Sequence, residues 1–219
     1  MNYQLPNINY QLPNINYQLP ITNYQLPINQ MPSPVGHTFA GICGFVLARP
    51  HIAWHQETRL LLGSVLLTNL PDIDILPGLL LLGNPGAFHR QATHSLIVAA
   101  VIGIFVAWLV GRWRLNRLRW GIWAALVYGS HIILDMLVAD PTAPFGVQAL
   151  WPFSLEYFIS PITIFARFDY FNPELGMVRT ILSITNVLGI LWEIVVLTPL
   201  LGLAWYGFGK TDGRKPLAR

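Results

Sequence analysis

Histidine and aspartate recur in this chain at spacings that suit metal chemistry, inside sequence too apolar to carry idle charges. They fall in Leu70-Pro71-Asp72-Ile73-Asp74, in Phe88-His89-Arg90-Gln91-Ala92-Thr93-His94-Ser95 and in Ser130-His131-Ile132-Ile133-Leu134-Asp135. An ionisable group in membrane-like sequence is costly, which makes it a functional candidate by default. Neutral imidazole with carboxylate is the donor set of zinc and related divalent ions. His131 and Asp135 stand four apart, so on a helix they share one face. Plainer explanations exist for each piece. Asp72 and Asp74 could end a segment at the interface, Thr93 could cap a helix with His94 a bystander, and His131 and Asp135 could be a structural pair between helices. All three must hold together to remove the chemistry.

Other titratable residues read differently. His51 and His55 are also four apart, but they lie in a polar loop and are expected to be solvated rather than metal-binding. Asp140 and Glu156 read as solvated loop carboxylates. Glu193 lies inside an apolar stretch, where it either pairs with a neighbouring helix or sits beside the site. Cys43 stands alone and reads as a small buried apolar residue, with no internal disulfide open to it.

The elements that must position these residues are membrane helices. Of 219 residues, 53% are hydrophobic and only 11% charged, with mean hydropathy +0.48. A soluble domain carries about 25% charged residues, so too few are present here to wet its surface. Ser95 to Gly111, Trp120 to Val138 and Val178 to Phe208 read as spans, the first two near the roughly 20 residues a bilayer needs and the last longer. Phe39 to Ala48 is short. Leu60 to Leu82 is broken by Pro71, Asp72, Asp74 and Pro77, and reads as a short or re-entrant piece. Broken backbone at membrane depth is tolerated where protein or trapped water satisfies it, so that interruption is a place to build a site. The fold class is therefore all-α: a polytopic helical membrane protein with three spans plus one or two short or re-entrant helices.

Basic residues give the orientation. Arg112, Arg114, Arg117 and Arg119 fill one short loop, and Lys210, Arg214, Lys215 and Arg219 the C-terminal tail, so both are expected in the cytoplasm. Trp108, Trp113, Trp120, Trp123 and Trp205 lie near the same ends, as an interfacial belt would. His94 then starts its span at the outer end, and His131 and Asp135 occupy the outer half of the next. With Arg49, His51, His55 and Arg59 inside, His37, Asp72 and Asp74 also fall toward the outside.

The first thirty residues stand apart. Asn2-Tyr3-Gln4-Leu5-Pro6-Asn7-Ile8 begins a seven-residue repeat that runs four times to Asn29, without charge. A proline in each repeat rules out a continuous coiled-coil helix. The seven-base unit AATTACC read through three frames encodes Asn-Tyr-Gln-Leu-Pro-Ile-Thr, which is Asn16 to Thr22. The segment reads as a translated DNA repeat, with Met31 the expected start, residues 1–30 unpacked, 31–209 the membrane-embedded domain and 210–219 a basic tail. The repeat lacks the basic region and unbroken apolar core of a signal peptide.

Met31-Pro32-Ser33-Pro34-Val35-Gly36-His37, Pro71 to Asp74, His89-Arg90, Thr93-His94-Ser95 and Ser130-His131 to Asp135 together resemble the YdjM-type family of membrane-bound metal-dependent hydrolases. Trp151-Pro152-Phe153-Ser154 is similar to a further element of that family. The resemblance covers Met31 to about Ser154, and the combination carries it rather than any single piece. More distantly, the family resembles the helical zinc-dependent phospholipase C and single-strand nuclease superfamily, which binds several zinc ions. The final His-x-x-x-Glu ligand pair of that superfamily is absent here, which favours one or two ions over three.

The resemblance implies a bacterial inner-membrane hydrolase in which His37, Asp72, Asp74, His94, His131 and Asp135 hold one or two divalent ions, with zinc the expected metal in view of the donors. His89 is a further ligand or a group behind them. Arg90, beside the ligands, suits a phosphate through its fork of donors. In a membrane the expected partners are lipid and an amphiphilic phosphoester such as a phospholipid. Leu150 to Phe171, aromatic and broken by Pro152 and Pro161, reads as a lid over the site or an interfacial anchor. A non-catalytic protein with a structural metal and a proton or metal-ion transporter are the alternatives. Four protein ligands closing the coordination would favour the first. An internal repeat of spans, which the sequence lacks, would favour the second. Nucleic acid is not an expected partner, because the basic residues flank spans.

Overall fold

The computed structural model describes residues 32–48, 57–83, 86–140, 144–170, 172 and 174–209. The expectations for the repeat, for His51 and His55 and for the basic tail lie outside these residues. The chain is all-helical, with α1 (Pro34–Ala48), α2 (Glu57–Asn69), α3 (Ile75–Leu82), α4 (Leu96–Val110), α5 (Arg117–Met136), α6 (Gly176–Ile181) and α7 (Ile184–Ala204). Short 3-10 turns precede α3 and α4 and follow α4, and a π-helical turn, Trp205–Gly209, follows α7.

Among the described residues, three stretches are long and apolar enough to cross a membrane: Glu57–Leu82, Leu96–Trp113 and Ile184–Gly207. The first differs from expectation. Leu60 to Leu82 is not a short piece but part of a 26-residue helical run. Both prolines sit where a helix tolerates them. Pro71 lies in the first turn of the 3-10 segment Leu70–Asp74 and Pro77 in the first turn of α3, where the run changes its hydrogen-bond pattern and a missing N–H interrupts it least. Trp120 to Val138 forms most of α5, which at 20 residues has the length to span, about 30 Å. It falls outside the three most apolar stretches because its inward face carries Tyr128, His131 and Asp135, all buried. The last stretch breaks at Leu182 and Ser183, where the Ser183 side chain accepts from Asn186 N–H and starts α7 afresh.

α5 is the centre of the bundle. Its buried face runs from Trp120 through Ala124 and Tyr128 to Asp135. α4 packs antiparallel to it through glycine: a Cβ on Gly103 would lie 2.7 Å from Gly121 O, so the backbones touch. Small residues allow this approach, the usual route to tight packing in membranes. α1 approaches α2 the same way, since a Cβ on Gly41 would lie 2.9 Å from Val65 Cα. Away from these seams the surface is apolar. Leu66, Ile104, Leu126 and Leu203 are all about 70% exposed, a surface that only lipid accommodates.

One residue of the expected aromatic belt is inside: Trp120 is buried with Ala48 and Val110. The half-buried Trp123 donates its indole N–H to Gly44 O at 2.9 Å. Trp108, Trp113 and Trp205 remain exposed. The segment after α5 holds no regular element. It is tied across the end of that helix by Ser160 N–H to Met136 O at 2.8 Å and Ile164 N–H to Leu137 O at 2.8 Å, with Phe165 packed against Leu134, Val138 and Leu197.

Candidate metal centre

Four elements bring the candidates to one point. α1 supplies His37 three residues after its first, the 3-10 turn before α3 supplies Asp72 and Asp74, the loop before α4 supplies His89 and His94, and the last turns of α5 supply His131 and Asp135. His37, His94, His131 and Asp135 are at most 1% exposed.

The geometry is that of a coordination shell. His94 Nε2 and His131 Nε2 are 3.1 Å apart, and Asp135 Oδ2 lies 3.2 Å from each. Asp72 Oδ1 lies 3.4 Å from His94 Nε2 and 3.2 Å from His131 Nε2. Ligand atoms bonded to one zinc ion, with bonds near 2.0–2.2 Å, lie about 3.3–3.6 Å from one another. The His94, His131 and Asp135 atoms come near that spacing as a triad, while Asp72 groups with His37 and His131 or with His89 and His94. Asp72 Oδ1 and both Asp135 oxygens, although buried, have no hydrogen-bond partner among the described residues. Buried acceptors without donors are costly, and a cation at their common point answers that cost. His37 Nε2, 3.4 Å from Asp135 Oδ1, stands next to the set, with its ring stacked on His131 at 3.7 Å. The groups His37, Asp72 and His131, Asp72, His89 and His94, and His94, His131 and Asp135 each could hold an ion.

Outer contacts fix the ligand orientations. His131 Nδ1 lies 2.8 Å from Thr68 O and so carries the proton, leaving Nε2 free to face the centre. His94 Nδ1 lies 3.0 Å from Thr93 Oγ1 and 3.2 Å from Asp74 Oδ2. Asp74 also takes the Thr93 hydroxyl, and its Oδ1 lies 2.8 Å from His89 Nδ1. Its two oxygens are therefore occupied behind His94 and His89. Such carboxylate–histidine pairs orient ligands and raise their basicity. Burial holds the His89 imidazole below its ordinary pKa despite Asp74. Burial opposes charge on His94 as well, but the surrounding Asp135, Asp72 and Asp74 outweigh it and hold its pKa well above the ordinary value.

The structure also shows what the sequence did not. Asp140 is not a solvated loop carboxylate: its side chain is 3% exposed and paired with Arg90 Nη1. Arg90 is itself buried, sits at φ 65°, and its Nε and Nη2 have no hydrogen-bond partner among the described residues. A non-glycine residue held in that region is strained and persists only where the surroundings enforce it. Here Gln148 N–H donates to Arg90 O at 2.9 Å. Glu156 is exposed, as expected. Thr93 does not cap α4, because Ser95 does, accepting from Val98 N–H at 3.2 Å. Cys43 is half-buried. Glu193 finds its partner in Ser33: one oxygen accepts the Ser33 N–H at 2.7 Å and the other the Ser33 hydroxyl. This ties α7 to the start of the helix that carries His37. Tyr170, from the segment over α5, has its hydroxyl pKa raised by burial and by the nearby carboxylates of Asp72, Asp135 and Glu193, with Arg90 opposing. No local pattern marks Thr68, Asp140 or Tyr170, because each meets the site across a long stretch of chain.

The profile of the YdjM inner membrane protein family matches residues 31–211. A relative, inner membrane protein YbcI of Escherichia coli (strain K12), is 31% identical over 151 residues, covering 65% of this chain and 83% of its own. No solved structure matches the chain.

Proposed function

Since the chain belongs to the YdjM inner membrane protein family, we propose that its buried His–Asp cluster is the metal centre of a membrane-embedded phosphoester hydrolase. One observation carries the reading: His94 Nε2, His131 Nε2 and Asp135 Oδ2 lie 3.1–3.2 Å from one another, as three ligands of one ion with a coordination position left open. The donor set suits zinc, and the three possible groups overlap pairwise through Asp72, His94 and His131, an arrangement with room for one ion or two adjacent ions. Bound there, a divalent ion supplies a water of pKa about 7 and a Lewis acid for the bond under attack.

The chain's own residues do the rest. Asp74 holds the His89 Nδ1 proton, which leaves Nε2 as the proton acceptor and donor. His89 Nε2 is buried and without a partner among the described residues, and burial keeps the ring neutral, as a base must be. Arg90 is anchored by Asp140 through Nη1, so Nε and Nη2 are left to grip a phosphate. Asp72 is the one ligand with an open side, 19% exposed, and its edge is where substrate reaches the ion. By the placement of Arg112, Arg114, Arg117 and Arg119, the site faces the outer side of the membrane and the C-terminus the cytoplasm.

A structural metal is the second reading: Asp72 Oδ1, 3.2–3.4 Å from both histidine nitrogens, would close the coordination if it joined the triad as a fourth ligand. One experiment separates the cases. Zinc content of the detergent-purified protein is measured beside a His131→Ala/Asp135→Ala variant, together with chelator-sensitive turnover of phosphoesters. About one or two ions per chain, lost in the variant, with turnover that chelation abolishes, are expected. An ion without turnover leaves the structural reading, and no ion on purification or reconstitution sinks both.

A further inference from the structure

A groove of about 670 Å³ opens beside the site, lined by Ile73, Leu76 and Leu80 on one element, by Phe88 on another, and by Asp74 and Thr93. Its apolar members face outward: Leu80 is 79% exposed and Leu76 52%. They belong to the Glu57–Leu82 stretch that is long and apolar enough to cross a membrane, so hydrocarbon is their surrounding. The same groove reaches the cluster, because Asp74 is buried and contacts His89 and His94. Arg90 adjoins the groove residues Phe88 and Gln91 in the chain without lining the groove, and two of its nitrogens have no hydrogen-bond partner among the described residues. The occupant that the lining itself fits is apolar along its length.

We propose that this groove is an acyl-chain subsite. A phospholipid enters it sideways from the bilayer, between α3 and the Phe88–Thr93 loop, with its phosphate toward Arg90. Lipid is favoured over a second copy of the chain because the apolar lining lies on a stretch long and apolar enough to cross a membrane and faces outward, where acyl chains surround it. The fate of the lipid rests on the hydrolase reading, whereas its binding does not.

The test uses the full chain in phosphatidylcholine vesicles containing phosphatidylglycerol with a diazirine on its acyl chain. After irradiation, labelled residues are mapped by peptide mass spectrometry. Labelling at Leu76, Leu80 and Phe88 is expected to saturate as the photolipid is raised, while labelling at lipid-facing Ile104 and Phe105 rises in proportion. Ala92→Trp, which fills the groove, lowers the groove label roughly ten-fold relative to the Ile104 label, the scale of overfilling a packed site. Leu80→Gln alters an already exposed side chain at the mouth and lowers it in the same direction without loading the fold. Groove labels that rise linearly and ignore both variants overturn the subsite. So does a protein–protein crosslink in place of the lipid label, which would mean that a second copy or another part of the chain covers the groove. Turnover of the phosphatidylglycerol is followed on the same vesicles. A saturating label without turnover sinks the hydrolase reading alone, and turnover without a saturating label sinks the subsite alone.

Discussion

Asp74→Asn separates a ligand from a group that aims one. In the structure Asp74 contacts His89 Nδ1 at 2.8 Å, His94 Nδ1 at 3.2 Å and the Thr93 hydroxyl, so its charge faces the backs of two imidazoles. Asparagine keeps one acceptor oxygen and presents an amide donor where the other was. Thr93 Oγ1, 3.0 Å from His94 Nδ1, still holds that ring. The loss is then about one charge-assisted hydrogen bond, roughly 1.5–3 kcal/mol, which is on the order of 10–100-fold in metal affinity. Asp135→Asn removes a charge from the His94, His131 and Asp135 triad itself and should leave little ion bound after purification. The assay is competition of each detergent-purified variant against a fluorescent zinc chelator. Equal losses in the two variants would place Asp74 on the ion. An unchanged affinity in Asp74→Asn would show that the contact behind His94 does not tune the centre, and either result refutes the reasoning.

Metal binding should weaken on acidification. The carboxylates around His94 overcome its burial and raise its pKa, so the metal-free cluster holds a proton there at neutral pH that an ion must displace. Affinity should fall about ten-fold per pH unit for each proton displaced, and calorimetry in two buffers of different ionisation enthalpy should show the release. Glu193→Ala leaves the Ser33 N–H and hydroxyl without their acceptor and should cost about 1–3 kcal/mol, seen as a lower melting temperature in detergent. Gly103→Leu should part α4 from α5, because its Cβ meets Gly121 O at 2.7 Å, and should lower melting temperature and zinc content together. Gly63→Ala is its control: nothing lies within 4 Å of that Cβ, and the change should be neutral or stabilising by about 1 kcal/mol.

The candidate cluster was legible because cost marks it. His and Asp stand out in apolar sequence, and the i, i+4 spacing of His131 and Asp135 survives as a contact, 3.2 Å between Nε2 and Oδ2. The all-helical class was legible from composition for the same reason. The partners that sit far away in sequence were not. Arg90 and Asp140 are fifty residues apart and Ser33 and Glu193 one hundred and sixty, and no local pattern links them. Prolines misled in the second span, since Pro71 and Pro77 mark breaks only if they lie inside a helix, and each lies in a first turn instead. Tryptophan misled in the belt, since Trp120 and Trp123 serve packing and a hydrogen bond to Gly44.

The antiparallel pair α4 and α5 also acts as a length gauge. α4 runs 15 residues away from the site, about 22 Å at 1.5 Å per residue. From Arg117 back to His131, α5 covers fourteen residue steps, about 21 Å. The two legs match, and that match is what sets His94 Nε2 3.1 Å from His131 Nε2. One residue added to either leg would shift its histidine by about 1.5 Å and turn it by about 100°. A residue added to the turn between them, from Gly111 to Asn116, would do neither. The two legs can therefore lengthen only together, by about seven residues or two helical turns each, if the chain is to suit a thicker bilayer and keep its histidines facing.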